Sequence, residues 1–223
     1  MQETIYTIPV TDAFNAPTEC PLCTLYKKFE ADSINYYLGP SLMQPENRID
    51  TNDKGFCRRH FTMLLDSRAN RLGLGLILDT YLQKQHSRLG KMAAKPEDLI
   101  SYLKKHQTQC CICEKLDYTV DRYLEVILHL WHKEEDFKIK FQKGLGFCTE
   151  HFTMLLEGAQ KYLGRSARKE FARQLIQLQL DNLDRMEKEV NWFTKKFDYR
   201  FKDEPWGTSK DALERSIGKI VGY

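Results

Sequence analysis

The sequence predicts an all-α protein, a duplicated helical repeat forming one bundle with two Cys3His metal sites and a short extended segment at its N-terminus. Three observations carry this. Cysteine and histidine recur in two matched sets, apolar residues follow each set at helical period, and almost no segment reads as a strand.

The matched sets are Cys20-Pro-Leu-Cys23 followed by Cys57-Arg-Arg-His60, and Cys110-Cys111-Ile-Cys113 followed by Cys148-Thr-Glu-His151. Cys20 maps to Cys110 and Cys23 to Cys113 at an offset of 90, and Cys57 maps to Cys148 and His60 to His151 at an offset of 91. The match extends to side chains with no ligand atom. Gly55-Phe56-Cys57 recurs as Gly146-Phe147-Cys148, and His60-Phe-Thr-Met-Leu-Leu65 recurs as His151-Phe-Thr-Met-Leu-Leu156. This is an internal duplication. Each set offers three thiolates and one imidazole, a complete tetrahedral shell for zinc, so two zinc ions per chain are expected; an iron–sulfur cluster is the alternative for the same ligands. Duplicating a working unit copies a complete site, which predicts Cys20, Cys23, Cys57 and His60 around one metal and Cys110, Cys113, Cys148 and His151 around the other. Pairing swapped across the repeats is the alternative. The register aligns the seventh cysteine, Cys111, with Pro21, which makes it a small helix residue rather than a ligand.

In chain order, residues 1–19 form the N-terminal segment, where Thr4 to Val10 is the best strand candidate. The first repeat, 20–94, opens with a helix at the first Cys-x-x-Cys. Pro21 suits its first turn and Gly39-Pro40 stops it after Leu38. The segment Gly39 to Lys54 carries Glu46, Arg48, Asp50, Asn52 and Asp53, differs from its counterpart before Cys148, and reads as a solvated connection with Pro45, Asn52 and Asp53 as turn residues. An amphipathic stretch follows from Leu72 to Leu89. Residues 95–109 form a connector helix with Pro96 in its first turn.

The second repeat, 110–201, carries Leu116, Val120, Tyr123, Ile127 and Leu130 at helical spacing. It ends in Ser166 to Phe201, where Ala172, Ile176, Leu180, Leu183, Met186, Val190, Phe193 and Phe197 form a seam long enough for one helix across the domain. The tail, 202–223, holds a short helix near Ser209, with Trp206 packed on the bundle. Each repeat alone is too small for a dry core, so the two are expected to make a single compact domain.

Composition narrows the function. With 34 basic and 31 acidic residues the net charge is +3, too balanced for the footprint of a nucleic-acid binder, and the long spacers do not match finger spacing. Nucleic acid is disfavoured as a partner. The longest apolar run, Leu72 to Leu78, falls far short of the roughly 20 residues a membrane span needs. Met1 to Phe14 shows no basic region followed by an apolar core, so a cytoplasmic location is expected. Glu125, His129, His132 and Asp136 share one helix face, but it lies opposite the apolar stripe and reads as a solvated face rather than a metal site. Arg58 and Arg59, between the ligands of the first set, are placed to neutralise an anionic metal centre. No catalytic nucleophile or phosphate-binding glycine loop is present, so the chain reads as a non-enzymatic, zinc-stabilised scaffold for a protein or small ligand. An iron–sulfur redox or sensor protein and a nucleic-acid-binding zinc protein are the alternatives.

Ile5-Tyr6-Thr7-Ile8-Pro9-Val10, Glu19-Cys20-Pro21-Leu22-Cys23, Gly55-Phe56-Cys57-Arg58-Arg59-His60, Asn70-Arg71-Leu72-Gly73-Leu74 and Glu204-Pro205-Trp206-Gly207 together resemble an uncharacterised family of anaerobic, mainly Gram-positive bacteria. The resemblance covers essentially the whole chain. It implies a biological context and transfers no mechanism.

Overall fold

The computed structural model describes residues 5–222 and contains eleven α-helices and no strand among them. In chain order these are α1 (Thr7–Asn15), α2 (Pro21–Leu38), α3 (Pro45–Lys54), α4 (Arg58–Asp66), α5 (Arg71–Met92), α6 (Pro96–Gln107), α7 (Cys111–Lys133), α8 (Glu135–Gln142), α9 (Thr149–Tyr162), α10 (Arg165–Lys195) and α11 (Ala212–Val221). The chain packs into two compact units, one made of Met1–Tyr26 and Val120–Tyr223, the other of Lys27–Thr119. The expected boundaries 20–94 and 110–201 therefore describe duplication of sequence and not packing, since each unit takes residues from both repeats.

In the first unit the stripe expected on α7 is buried. Val120, Tyr123, Ile127 and Leu130 pack with Leu124, Leu128 and Trp131 against Phe137 and Phe141 of α8, Leu155 and Ala159 of α9, and Phe171, Leu175 and Leu178 of α10. Each such side chain contributes about 1.5–3 kcal/mol by leaving water. Gly158 lets α9 approach α7 closely, because a Cβ there would stand 3.3 Å from a Leu128 methyl.

Three expectations are corrected here. The N-terminal segment is not extended. Thr7–Asn15 is helical and buries Val10 and Ala13 on one face, and Pro9 is tolerated because the first turn makes no use of its missing N–H. Thr4 lies outside the described residues. The seam on α10 is displaced over its first half: Phe171, Leu175, Leu178 and Asn182 are buried, whereas Ile176 and Leu180 are 43% and 56% exposed, and Met186 is buried as expected. Two polar residues cause the shift. The Gln179 amide accepts from the Phe147 N–H at 3.0 Å and donates to the Phe147 carbonyl at 2.9 Å, and Asn182 Nδ2 donates to the Gly144 carbonyl at 3.3 Å, so the inward face serves backbone as well as apolar contacts. The helix also stops at Lys195, with Tyr199–Phe201 forming a separate 3-10 turn. Trp206 lies beside α10, its ring 5.7 Å from Phe193.

In the second unit the third correction appears, since most of the expected connection from Gly39 to Lys54 is the helix α3. Pro45 occupies its first turn, Glu46 lies in that turn and Lys54 in the last, which suits the helix dipole at both ends. Its polar residues bind α5. Arg48 Nη2 donates to the Leu76 carbonyl and the Thr80 hydroxyl, Thr80 donates to Asn52 Oδ1, and Asp53 pairs with Lys84 and Arg88. The Gly39-Pro40 stop and the connector helix, α6, stand where the sequence puts them.

Candidate metal centres

Two groups of four residues converge among the described residues. Cys20, Cys23, Cys148 and His151 lie in the first unit; Cys57, His60, Cys110 and Cys113 lie in the second, and within each group the ligand atoms are all within 4.8 Å of one another. The eight residues are those singled out in the sequence, but the pairing within a repeat is wrong: each Cys-x-x-Cys meets the Cys-x-x-His of the other repeat. At 1.5 Å per residue, α2 carries the chain about 27 Å beyond its Cys-x-x-Cys and α7 about 35 Å beyond its own before the next Cys-x-x-His is reached.

Each group is built from helix N-termini. Cys20 precedes α2 and Cys110 precedes α7, so each Cys-x-x-Cys spans a first turn; Cys57 and Cys148 are the N-cap residues of α4 and α9, and His60 and His151 follow three residues on. Residues three apart share a helix face, which brings each cysteine beside its partner. The unpaired N–H groups of a first turn also favour thiolate charge, as where the Cys113 N–H points at Cys110 Sγ 3.5 Å away. The repeated Gly-Phe-Cys has a backbone cause. Gly55 and Gly146 have φ of 64° and 79°, the left-handed region, where a side chain would strain the turn that presents the N-cap cysteine.

The two groups share a geometry. His151 Nδ1 lies 3.4, 3.3 and 3.2 Å from the sulfurs of Cys20, Cys23 and Cys148. His60 Nδ1 lies 3.3, 3.2 and 3.4 Å from those of Cys57, Cys110 and Cys113. The sulfurs of Cys23 and Cys148 are 3.5 Å apart and those of Cys57 and Cys113 are 3.8 Å apart. In both groups the same imidazole nitrogen faces three sulfurs, which requires the proton on Nε2 when Nδ1 is a ligand.

Their surroundings differ. The first group is wholly buried, and burial pushes the Cys20 thiol up, so a metal ion must displace a firmly held proton. Against it lies Lys219 of α11, with its side chain only 2% exposed; Nζ donates to the Glu19 carbonyl at 2.7 Å and to the Leu145 carbonyl, and pairs with the Glu19 carboxylate at 3.1 Å. Lys219 thus ties together the two segments that deliver the cysteines. Arg185 and Arg215 complete the ring around Glu19 at 2.6 and 3.1 Å. Sequence reasoning missed this lysine, because a charged side chain in a short helix carries no local signal of burial; Ile217 and Ile220 are 61% and 64% exposed while Lys219 points inward.

In the second group Cys57 and Cys113 are half-buried. His60 Nε2 lies 3.0 Å from Glu30 Oε1, and Arg59 pairs with Glu30 Oε2 at 2.8 Å. Burial depresses the basicity of His60 more than Glu30 restores it, which keeps the imidazole neutral. Arg59 therefore balances the carboxylate behind the histidine. Cys111 stays out of the group. Its N–H donates to the Gly55 carbonyl at 3.1 Å, and its thiol is pushed up to about 12 by burial and by nearby Asp50. Glu125, His129, His132 and Asp136 form no group; Glu125 pairs with Arg122, and both histidines and Asp136 are exposed.

Fold and site together define a helical protein with two candidate Cys3His metal centres and, among the described residues, no helix long and apolar enough to cross a membrane. The chain belongs to a family of unknown function, DUF6062, whose model matches residues 1–223. No curated protein and no solved structure matches it.

Proposed function

We propose that the chain binds two zinc ions, one per Cys3His group, as structural elements of a non-enzymatic cytoplasmic scaffold that presents its helices to a protein or small ligand. The observation that carries this reading is ligand spacing. A single ion about 2.3 Å from sulfur and 2.0–2.1 Å from nitrogen sets tetrahedral S···N edges of about 3.5 Å and S···S edges of about 3.8 Å. The observed separations of 3.2–3.4 and 3.5–3.8 Å match that tetrahedron. An iron–sulfur cluster spreads its thiolates over several irons and needs a wider cage.

Four protein ligands leave no open coordination position for a substrate or water, which supports a structural rather than a catalytic ion. Three thiolates and a neutral imidazole leave each zinc centre with one negative charge, placed at helix N-termini and, in the first unit, near Lys219. Apparent binding energies of about 10–16 kcal/mol per structural zinc match or exceed the ~5–15 kcal/mol net stability of a typical domain, so the ions decide whether the units fold. Seven free cysteines suit a reducing compartment.

Metal analysis of protein purified without air or added metal tests the reading. The expected result is a colourless protein with about two zinc ions per chain and its helicity lost on chelation. A brown protein with equal iron and sulfide would overturn zinc in favour of an iron–sulfur redox or sensor role.

A further inference from the structure

The first unit contains a cleft of about 590 Å³ that its core does not fill. Small-ligand sites occupy roughly 300–1,000 Å³ and combine apolar walls with a few polar groups. Phe14 and Phe141 line it with rings 6.0 Å apart, and Leu178 and Ile139 extend the apolar wall. Three charged residues also line it: Lys140, which donates to Asn15 Oδ1, exposed Lys143, and exposed Asp136. The charged lining carries one net positive charge.

We propose that this cleft binds a small amphipathic carboxylate, an apolar chain or ring bearing one anionic group. This rests on the reading of the protein as a ligand-binding scaffold. The aromatic and aliphatic walls supply the burial that holds an apolar body, and the lysines select a single negative charge over a neutral or cationic head. The cleft also touches the metal centre through the chain. Pro21 lines it between Cys20 and Cys23, and Phe147 lines it immediately before Cys148. An occupant packs against the segments carrying three of the four ligands, so by linkage it tightens metal binding at that centre.

The test uses the full chain as purified, with its metal content assayed on every sample. Decanoate, decanol and decylammonium, each below its micelle concentration, are titrated by calorimetry. Decanoate is expected to bind saturably at one site per chain and about tenfold more tightly than decanol, with decylammonium weakest. Ile139→Trp, at a position 41% exposed, fills the cleft without altering the core and should weaken decanoate at least about tenfold with metal content unchanged. Lys143→Glu should weaken decanoate and spare decanol. No saturable decanoate binding at full metal content, binding indifferent to Ile139→Trp, or equal affinity for the anion and the cation would each overturn the proposal. A folded protein lacking metal would instead overturn the zinc reading, which separates the two failures.

Discussion

His60 faces the three sulfurs of its group through Nδ1 and lies 3.0 Å from Glu30 Oε1 through Nε2, so one buried carboxylate fixes both the tautomer and the orientation of the ring. The 90-residue register puts Val120 at the corresponding place in the second repeat, and no carboxylate can act there. Glu30→Leu should therefore lower metal affinity in the second unit by about 10–100-fold and leave the first unit's centre intact. Competition with a chromogenic chelator reads this as one ion released early and one late; simultaneous release of both would refute it.

Pairing across the repeats makes a stoichiometric prediction. Cys57→Ser with Cys110→Ser strikes one group twice, so the protein should keep about one ion per chain; Cys23→Ser with Cys57→Ser strikes both groups and should leave none. Pairing within a repeat predicts the opposite outcomes, and metal analysis of the two double variants decides.

Cys111 and Cys113 are two residues apart and both lack a disulfide, yet only Cys113 belongs to a group. Cys111→Ser should retain both ions and lose about 1 kcal/mol from burying a hydroxyl in place of a thiol. Cys113→Ser should lose one ion and much of the helicity of its unit. Circular dichroism with metal analysis would contradict this if the two variants behaved alike.

Lys219 holds the carbonyls of Glu19 and Leu145 from inside the first unit. Lys219→Met keeps the length and apolar stem of the side chain but strands both carbonyls, at a cost of about 1–3 kcal/mol. Chelator-driven release should accelerate for the first centre only, and an unchanged release rate would show that the ammonium does not support it.

Asp121 links α7 to α9 through Lys161 at 2.8 Å, Tyr162 at 2.7 Å and the neighbouring Arg122 at 2.7 Å. Burial alone would raise its carboxyl, but these partners outweigh burial and hold it at about 2, below the ordinary 3.8. A depressed carboxylate contributes stability that is complete above its unfolded value and is lost as pH falls from about 4 toward 2. The pair is partly exposed, so Asp121→Asn should cost at most about 1 kcal/mol at pH 7. Urea midpoints of the two proteins should stay apart from pH 7 to about 4 and converge as pH falls toward 2; a gap that widened on acidification would reverse the sign and sink the argument.

The helical class, the eight converging residues and the exclusion of Cys111 were legible in the chain because each is a periodic or repeated local signal. The α7 stripe was legible for the same reason, since nearly every inward position there is apolar. On α10 the signal was ambiguous, because Gln179 and Asn182 face inward to hold the backbone of residues 144–147, and a count of apolar residues cannot register a buried amide with backbone partners. On α11 there was no signal to read, because the inward placement of Lys219 and Arg215 depends on Glu19 about two hundred residues earlier.

By itself the sequence determined that the protein is helical and that six of its cysteines and two of its histidines form two equivalent sets of four. Only the tertiary structure decided which four meet. Ligand type and spacing within a helix turn are local and are copied whole by duplication. Partnership depends on where α2 and α7 deliver the chain after about 27 and 35 Å, which packing and not local sequence sets, and each Cys-x-x-Cys is completed by the Cys-x-x-His of the other repeat.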